Sequence, residues 1–235
     1  NNSCAAQRYT PPPQCMPKSD KLQAIYNRWR GVNGNSVLDA IKKSEGKADK
    51  LKQAVKESLE ENPESFFDDL QGIISMHDKY TGNIHAPGVV SIALTMAKKH
   101  GLSPDEIKQL KFAAQIHDLG KIFVPLDILN FKGPLDKDKR KIIDEHADKG
   151  EEFLEELGVA KVNTFFKDVT ELVGSHHKPL DISESDSKKG LMAKILAFAD
   201  RYNALTTERP YKRALPRPEA LSIIVKDEIF ENLSY

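Results

Sequence analysis

The chain has 235 residues, enough to bury a sizeable core, either as one large domain or as one ordinary domain with an appendage. Its composition, 39% hydrophobic and 30% charged, is that of a globular protein, and Lys+Arg balances Asp+Glu at 35 each, so the basic excess that duplex nucleic acid demands is missing. No apolar run approaches the ~18–20 residues that a membrane-spanning helix needs.

Residues 1–20 read as an irregular arm, because "TPPPQCMPKS" cannot hold a helix. Both cysteines, Cys4 and Cys15, lie in this arm, and nothing nearby completes a zinc-ligand set. Two readings stay open: a local disulfide, which implies an oxidising compartment, or two thiols on a loose terminus. The first residue is not Met, which fits either a removed leader or a trimmed chain. Residues 21–75 read as a helical N-terminal region rich in Lys, Glu, Leu and Ala, with breaks at Gly46 and Pro63. Its charges are most simply solvated helix faces. Residues 76–235 continue in helical periodicity, with no dinucleotide-binding or P-loop glycine pattern, no alternating strands and no internal repeat. The expected fold class is all-α, a helical bundle.

Within this second region, "GLSPDEIKQL" opens a helix, with Ser103 as N-cap, Pro104 in the first turn and Glu106 closing a capping box. Its apolar positions are Ile107, Leu110, Ala113 and Ala114, and the same stripe then reaches His117, which is followed by Asp118. The stretch "DKDKRKIIDEHADKGEEFLEELG" reads as one helix whose stripe passes through Ile142, Ile143, His146, Gly150, Phe153 and Leu157. "TFFKDVTELVGSHHK" carries Phe166, Val169, Leu172 and Val173 into His176 and His177. "GLMAKILAFADRYNAL" carries Ala193, Leu196 and Ala199 into Asp200. His85 precedes a further helix that opens at Pro87.

A lone His on an apolar stripe is usually a core residue, but here five of the seven histidines and two aspartates run into apolar faces. Buried imidazoles and carboxylates need partners, and a cation satisfies all of them at once. Imidazole with carboxylate is a ligand set for Fe, Mn, Zn or Ni and argues against Ca. So many ligands exceed what one ion with open positions can take, so two ions bridged by Asp118 are expected. His77, after "GIISM", could face the site but more simply takes a surface role, and His100 closes a helix where a cation suits the dipole.

These residues lie in a longer pattern: "YTGNIH", "AAQIHDLGKIFVPLDILNFKGPL", "EHADKG", "GSHH" and "ILAFADRYNALTTERPYKRAL". In order, spacing and wording it resembles the HD-GYP family within the HD superfamily of metal-dependent phosphohydrolases. That family comprises bacterial phosphodiesterases of cyclic di-GMP and related cyclic dinucleotides. The resemblance implies an HD-type phosphohydrolase domain over 76–235. It also implies two divalent metal ions, Fe or Mn, held by His85, His117, Asp118, His146, His176, His177 and Asp200. It further implies Lys121 near the scissile phosphate, and Arg209 and Lys212 as holders of substrate phosphates. The sequence departs from the family in three places. No Gly-Tyr-Pro follows the double His, where the loop reads "KPLDISESDSKKG"; Lys178 stands where a Glu is common; and Thr81 stands where three-metal members carry a Glu.

The expected function is therefore metal-assisted hydrolysis of a cyclic dinucleotide in bacterial second-messenger signalling. Asp118 would bridge the ions and Lys121 would offset phosphoryl charge. Two alternatives remain: a catalytically weak cyclic-dinucleotide-binding module, and a di-iron oxygenase of the HD type. The expected partner is the cyclic dinucleotide, with a signalling protein or a homodimer left open. The family is cytoplasmic; a Cys4–Cys15 disulfide would instead place the protein in the periplasm.

Overall fold

A computed structural model describes residues 35–78, 81–179, 187–208, 213–230 and 233. The described residues form helices and turns, with no strand among them, as the all-α reading requires. In chain order the α-helices are α1 (Ser36–Lys43), α2 (Ala48–Glu61), α3 (Pro63–His77), α4 (Ala86–Lys99), α5 (Pro104–Ile116) and α6 (Leu126–Leu129), then α7 (Lys137–Asp144), α8 (His146–Leu157), α9 (Thr164–Ser175), α10 (Lys188–Thr206) and α11 (Arg217–Ile224). A π-helical turn, Thr81–His85, feeds α4, and a 3-10 turn, Leu119–Phe123, follows α5.

Local chemistry sets the helix starts. Asn35, Asn62, Ser103, Asp136, Asn163 and Ser187 each accept a bond from a backbone N–H of the following first turn. The capping box read at Ser103 and Glu106 forms in both directions. Gly158 ends α8 at φ 84°, a conformation that a Cβ would strain.

Helix α5 lies at the centre of the bundle, packed against α3, α4, α9 and α10. Aromatic side chains tie the N-terminal helices to it. Phe67 of α3 stacks on Phe112 of α5 at 4.2 Å between centroids, and Phe66 meets Phe67 edge-on at 5.6 Å. One hydrophobic core runs from Val37 in α1 to Leu233, passing across residue 75 without interruption. The arm at 1–20 and the two cysteines lie outside the described residues.

Two sequence readings are corrected. The stretch over 136–158, read as one helix, is two: α7 ends at Asp144 and α8 begins at His146, with Glu145 between. His77, read as a surface residue, is buried, with its Nε2 3.1 Å from the Val124 carbonyl. This bond fixes the end of α3 against the segment that follows the 3-10 turn. Periodicity alone could not place His77, because its partner lies 47 residues away.

Candidate metal centre

Five elements converge on one point near the helix ends. The π-helical turn supplies His85. The end of α5 supplies His117 and Asp118, the start of α8 supplies His146, the end of α9 supplies His176 and His177, and the middle of α10 supplies Asp200. His85, His117, Asp118, His146 and His176 are buried, Asp200 is half-buried, and His177 is exposed. Their coordinating atoms fall into two groups, His85–His117–Asp118 and His146–His176–His177, with the atoms within each group lying within 4.8 Å of one another.

Asp118 lies between the groups. Its Oδ1 is 3.0 Å from His146 Nε2, while its Oδ2 is 3.4 Å from His117 Nε2 and 3.7 Å from His85 Nε2. Asp200 Oδ1 closes the first group, 2.9 Å from His85 Nε2 and 3.7 Å from His117 Nε2. Lys121 Nζ donates to Asp118 Oδ2 at 2.8 Å.

The tautomers follow from local helix geometry. His117, His146 and His176 each sit at a helix end or first turn and place Nδ1 beside the carbonyl of the residue three positions earlier. The partners are Ala114 at 2.9 Å, Ile143 at 2.5 Å and Val173 at 2.7 Å. A carbonyl only accepts, so each Nδ1 carries a proton, and each ring in its neutral form turns an Nε2 lone pair inward. Those lone pairs then crowd: His146 Nε2 is 3.1 Å from His176 Nε2 and 3.2 Å from His177 Nε2. Lone pairs facing one another and facing carboxylates repel unless a cation lies between them. Two ligands about 2.1 Å from one ion at a right angle lie about 3.0 Å apart, which matches this spacing.

His117 Nε2, fully buried, has no hydrogen-bond partner among the described residues. Such an orphan inside a low-dielectric core is costly unless a cation fills its lone pair. The donor set and its orphan therefore fit divalent metal binding. Without a cation, burial disfavours the charged form of His117, but Asp118 and Asp200 outweigh it and push the imidazole up to about 10, so a metal ion would take the place of a second proton at Nε2. Burial likewise opposes ionisation of Asp118, yet Lys121 and His117 hold its carboxyl well below the usual range. Burial and the neighbouring His177 and His146 drive His176 the other way, to lower values.

The turn carrying Asp118 is held by a close backbone approach. A Cβ on Gly120 would sit 1.8 Å from the His146 carbonyl oxygen and 2.7 Å from Gly150 N. Only glycine lets the 3-10 turn rest on α8 at this distance, and that contact sets Asp118 against His146.

All seven expected ligands are thus brought together. Arg209 and Lys212 lie outside the described residues, as does 180–186 of the loop where Gly-Tyr-Pro is missing. Thr81, the position of the absent Glu, is buried, and its hydroxyl donates to Asp78 at 2.7 Å. Sequence reasoning missed Asn203. Its Oδ1 lies 2.8 Å from His85 Nδ1, and Asn203 follows Asp200 by three residues on the same face of α10, the signal that could have found it.

A family model described as an HD domain matches residues 53–229, and the chain belongs to that family. Among curated relatives it is 31% identical over 157 residues to the 3'3'-cGAMP-specific phosphodiesterase 3 of Vibrio cholerae, covering 65% of this chain and 33% of that protein. It is 33% identical over 138 residues to the cyclic di-GMP phosphodiesterase response regulator RpfG of Xanthomonas campestris, covering 57% of this chain and 35% of that protein. It is 28% identical over 207 residues to a cyclic di-GMP phosphodiesterase of Thermotoga maritima, covering 84% of this chain and 54% of that protein. The chain spans about a third of the length of the first two of these relatives. No helix among the described residues is long and apolar enough to cross a membrane.

Proposed function

We propose that the chain is a binuclear metal-dependent phosphodiesterase acting on cyclic di-GMP or a related cyclic dinucleotide. The observation that carries this reading is the buried convergence of imidazole lone pairs on both oxygens of Asp118. The activities for which the relatives are named, cyclic di-GMP and 3'3'-cGAMP phosphodiesterases, suggest the substrate class. His85, His117 and Asp200 would hold one ion, His146, His176 and His177 the other, and Asp118 both. Two such cations, Fe or Mn, would supply Lewis acidity to water and to the phosphoryl oxygens. Asp118, shared between two cations, would be a poor proton acceptor and would act as a bridge rather than as a base. Lys121, held beside Asp118, would offset charge building on the phosphoryl oxygens. Arg209 and Lys212 would clamp the second phosphate and so position the first.

Protein purified without chelator should contain close to two metal ions per chain. Loaded with Mn(II) or Fe(II), it should hydrolyse cyclic di-GMP or 3'3'-cGAMP faster than a generic bis-phosphodiester. A loop that lacks the family's aromatic residue cannot stack a guanine, a contact worth about 1–3 kcal/mol per base, so KM should be raised while the chemistry persists. A sub-micromolar KM for cyclic di-GMP would overturn this account of the loop. Two verified ions with no turnover of any phosphodiester would favour the binding-module reading, for which the altered loop is the motivating observation.

A further inference from the structure

We infer that Asn203 is a positioning residue that sets the tautomer of His85, and that Gly88 keeps the space this requires. The inference rests on the binuclear reading above and adds a residue outside the ligand set. His117, His146 and His176 each turn Nε2 inward by bonding Nδ1 to the carbonyl of the residue three positions earlier. That device belongs to the backbone and survives any side-chain change. His85 has a different arrangement. It stands at the junction of the π-helical turn and α4, and its Nδ1 meets a side chain from another helix, Asn203 Oδ1 at 2.8 Å, 118 residues away.

The geometry makes the roles specific. Asn203 Oδ1 can only accept, so His85 Nδ1 donates and Nε2 is left as the lone pair. Nε2 then faces Asp200 Oδ1 at 2.9 Å and Asp118 Oδ2 at 3.7 Å. Without an acceptor at Nδ1, nothing holds the ring with Nε2 toward the two carboxylates, and that lone pair is no longer presented to a metal. The amide reaches this place because residue 88 has no side chain. A Cβ on Gly88 would lie 2.2 Å from Asn203 Nδ2 and 2.9 Å from its Cγ. Asn203 itself is buried between α10 and α4, and Asp200, one turn earlier on α10, is a ligand candidate. One face of α10 thus supplies both a ligand and the group that orients the facing ligand.

The test is Mn(II) binding by calorimetry, with metal content per chain, on the wild type and on Asn203→Leu, Asn203→Asp and Gly88→Ala. Loss of such a supporting hydrogen bond typically costs about 10- to 100-fold in metal affinity. Asn203→Leu should weaken one of the two ions by that factor and leave the other unchanged. Asn203→Asp, which keeps an acceptor oxygen at the same reach, should bind both ions with near wild-type affinity. Gly88→Ala, which displaces the amide without altering its chemistry, should reproduce the Asn203→Leu result, and it carries the comparison if Asn203→Leu does not fold. Two ions of unchanged affinity in Asn203→Leu would overturn the role of Asn203, as would equal weakening of both ions. A wild type that binds fewer than two ions would overturn the binuclear reading and the inference with it.

Discussion

At the scale of single residues, the centre depends on groups that a solvated protein would not bury unaided. Asp118 is the extreme case: a buried carboxylate with Lys121 on one oxygen and imidazoles around both. Asp118→Ala removes the contact common to both ligand groups, so metal analysis of the purified variant should find both ions lost together, with helical content retained in circular dichroism. Retention of one ion at full occupancy would show that the two groups bind independently. A second carboxyl sits away from the centre. Glu151 of α8 is half-buried against α9, where a Cβ on Gly174 would lie 1.8 Å from its Oε2. Burial, then the negative charges of Glu155, Glu171, Asp148 and Glu152, push it up to about 7 from 4.5. Lys189 donates to Asp168 and to Glu171, one of these carboxylates. A carboxyl raised in the fold keeps a proton that the unfolded chain has already lost, so it costs stability as pH rises from about 4.5 toward 7 and beyond. Glu151→Gln removes that cost. The melting temperature of the variant relative to wild type should therefore increase between pH 5 and pH 8, and parallel curves would refute the assignment.

At the scale of elements, the site is made by where helices stop. α5 stops at Ile116, which leaves His117 and Asp118 to turn into the 3-10 segment. α9 stops at Ser175, so His176 and His177 occupy a turn and can both reach His146, at 3.1 and 3.2 Å. Within one continuous helix these neighbours would point about 100° apart. The 3-10 turn and α8 meet at Gly120 and Gly150, where a Cβ on Gly150 would lie 3.2 Å from Gly120 N. Gly120→Ala cannot be absorbed by a side-chain movement, because the atoms it meets are the carbonyl of His146 and the amide of Gly150. Overpacking of this kind costs about 1–3 kcal/mol. Urea denaturation should show that loss, and metal content should fall with it because Asp118 and His146 are forced apart. Unchanged stability would mean that the turn can lift from α8 without consequence.

At the scale of the whole molecule, the centre joins five elements from His85 to Asp200 that the chain itself connects only through loops and helices. Ions held there would bind the folded state in preference to the unfolded chain and so would add stability as RT ln(1 + [L]/Kd), about 2.7 kcal/mol at a hundredfold excess over Kd. Chelation with EDTA should lower the melting temperature, and Mn(II) should restore it. Asp118→Ala should respond to neither reagent. A wild type whose melting is indifferent to chelator and metal would argue against the centre as a tertiary clip. The N-terminal helices belong to the same body of packing: Phe67 of α3, fully buried on Phe112, is part of the core that carries the ligands of α5.

The sequence alone determined which residues would be drawn inward, because helical period is a local property. A stripe spaced by three and four residues reaches His117, His176 and Asp200, and each is buried or half-buried; His146 is buried as well, although the helix read through it breaks at Glu145. The helix starts were legible for the same reason, since a cap and its N–H lie within three residues. Tertiary structure alone decided what depends on partners far along the chain. It buried His77 against Val124, set Asn203 on His85 across 118 residues, and brought Gly120 onto the backbone of α8. It also decided which ligands form each of the two groups that flank Asp118. No periodicity encodes these contacts, because each is fixed by how two helices lie across one another, and that depends on the packing of the entire core.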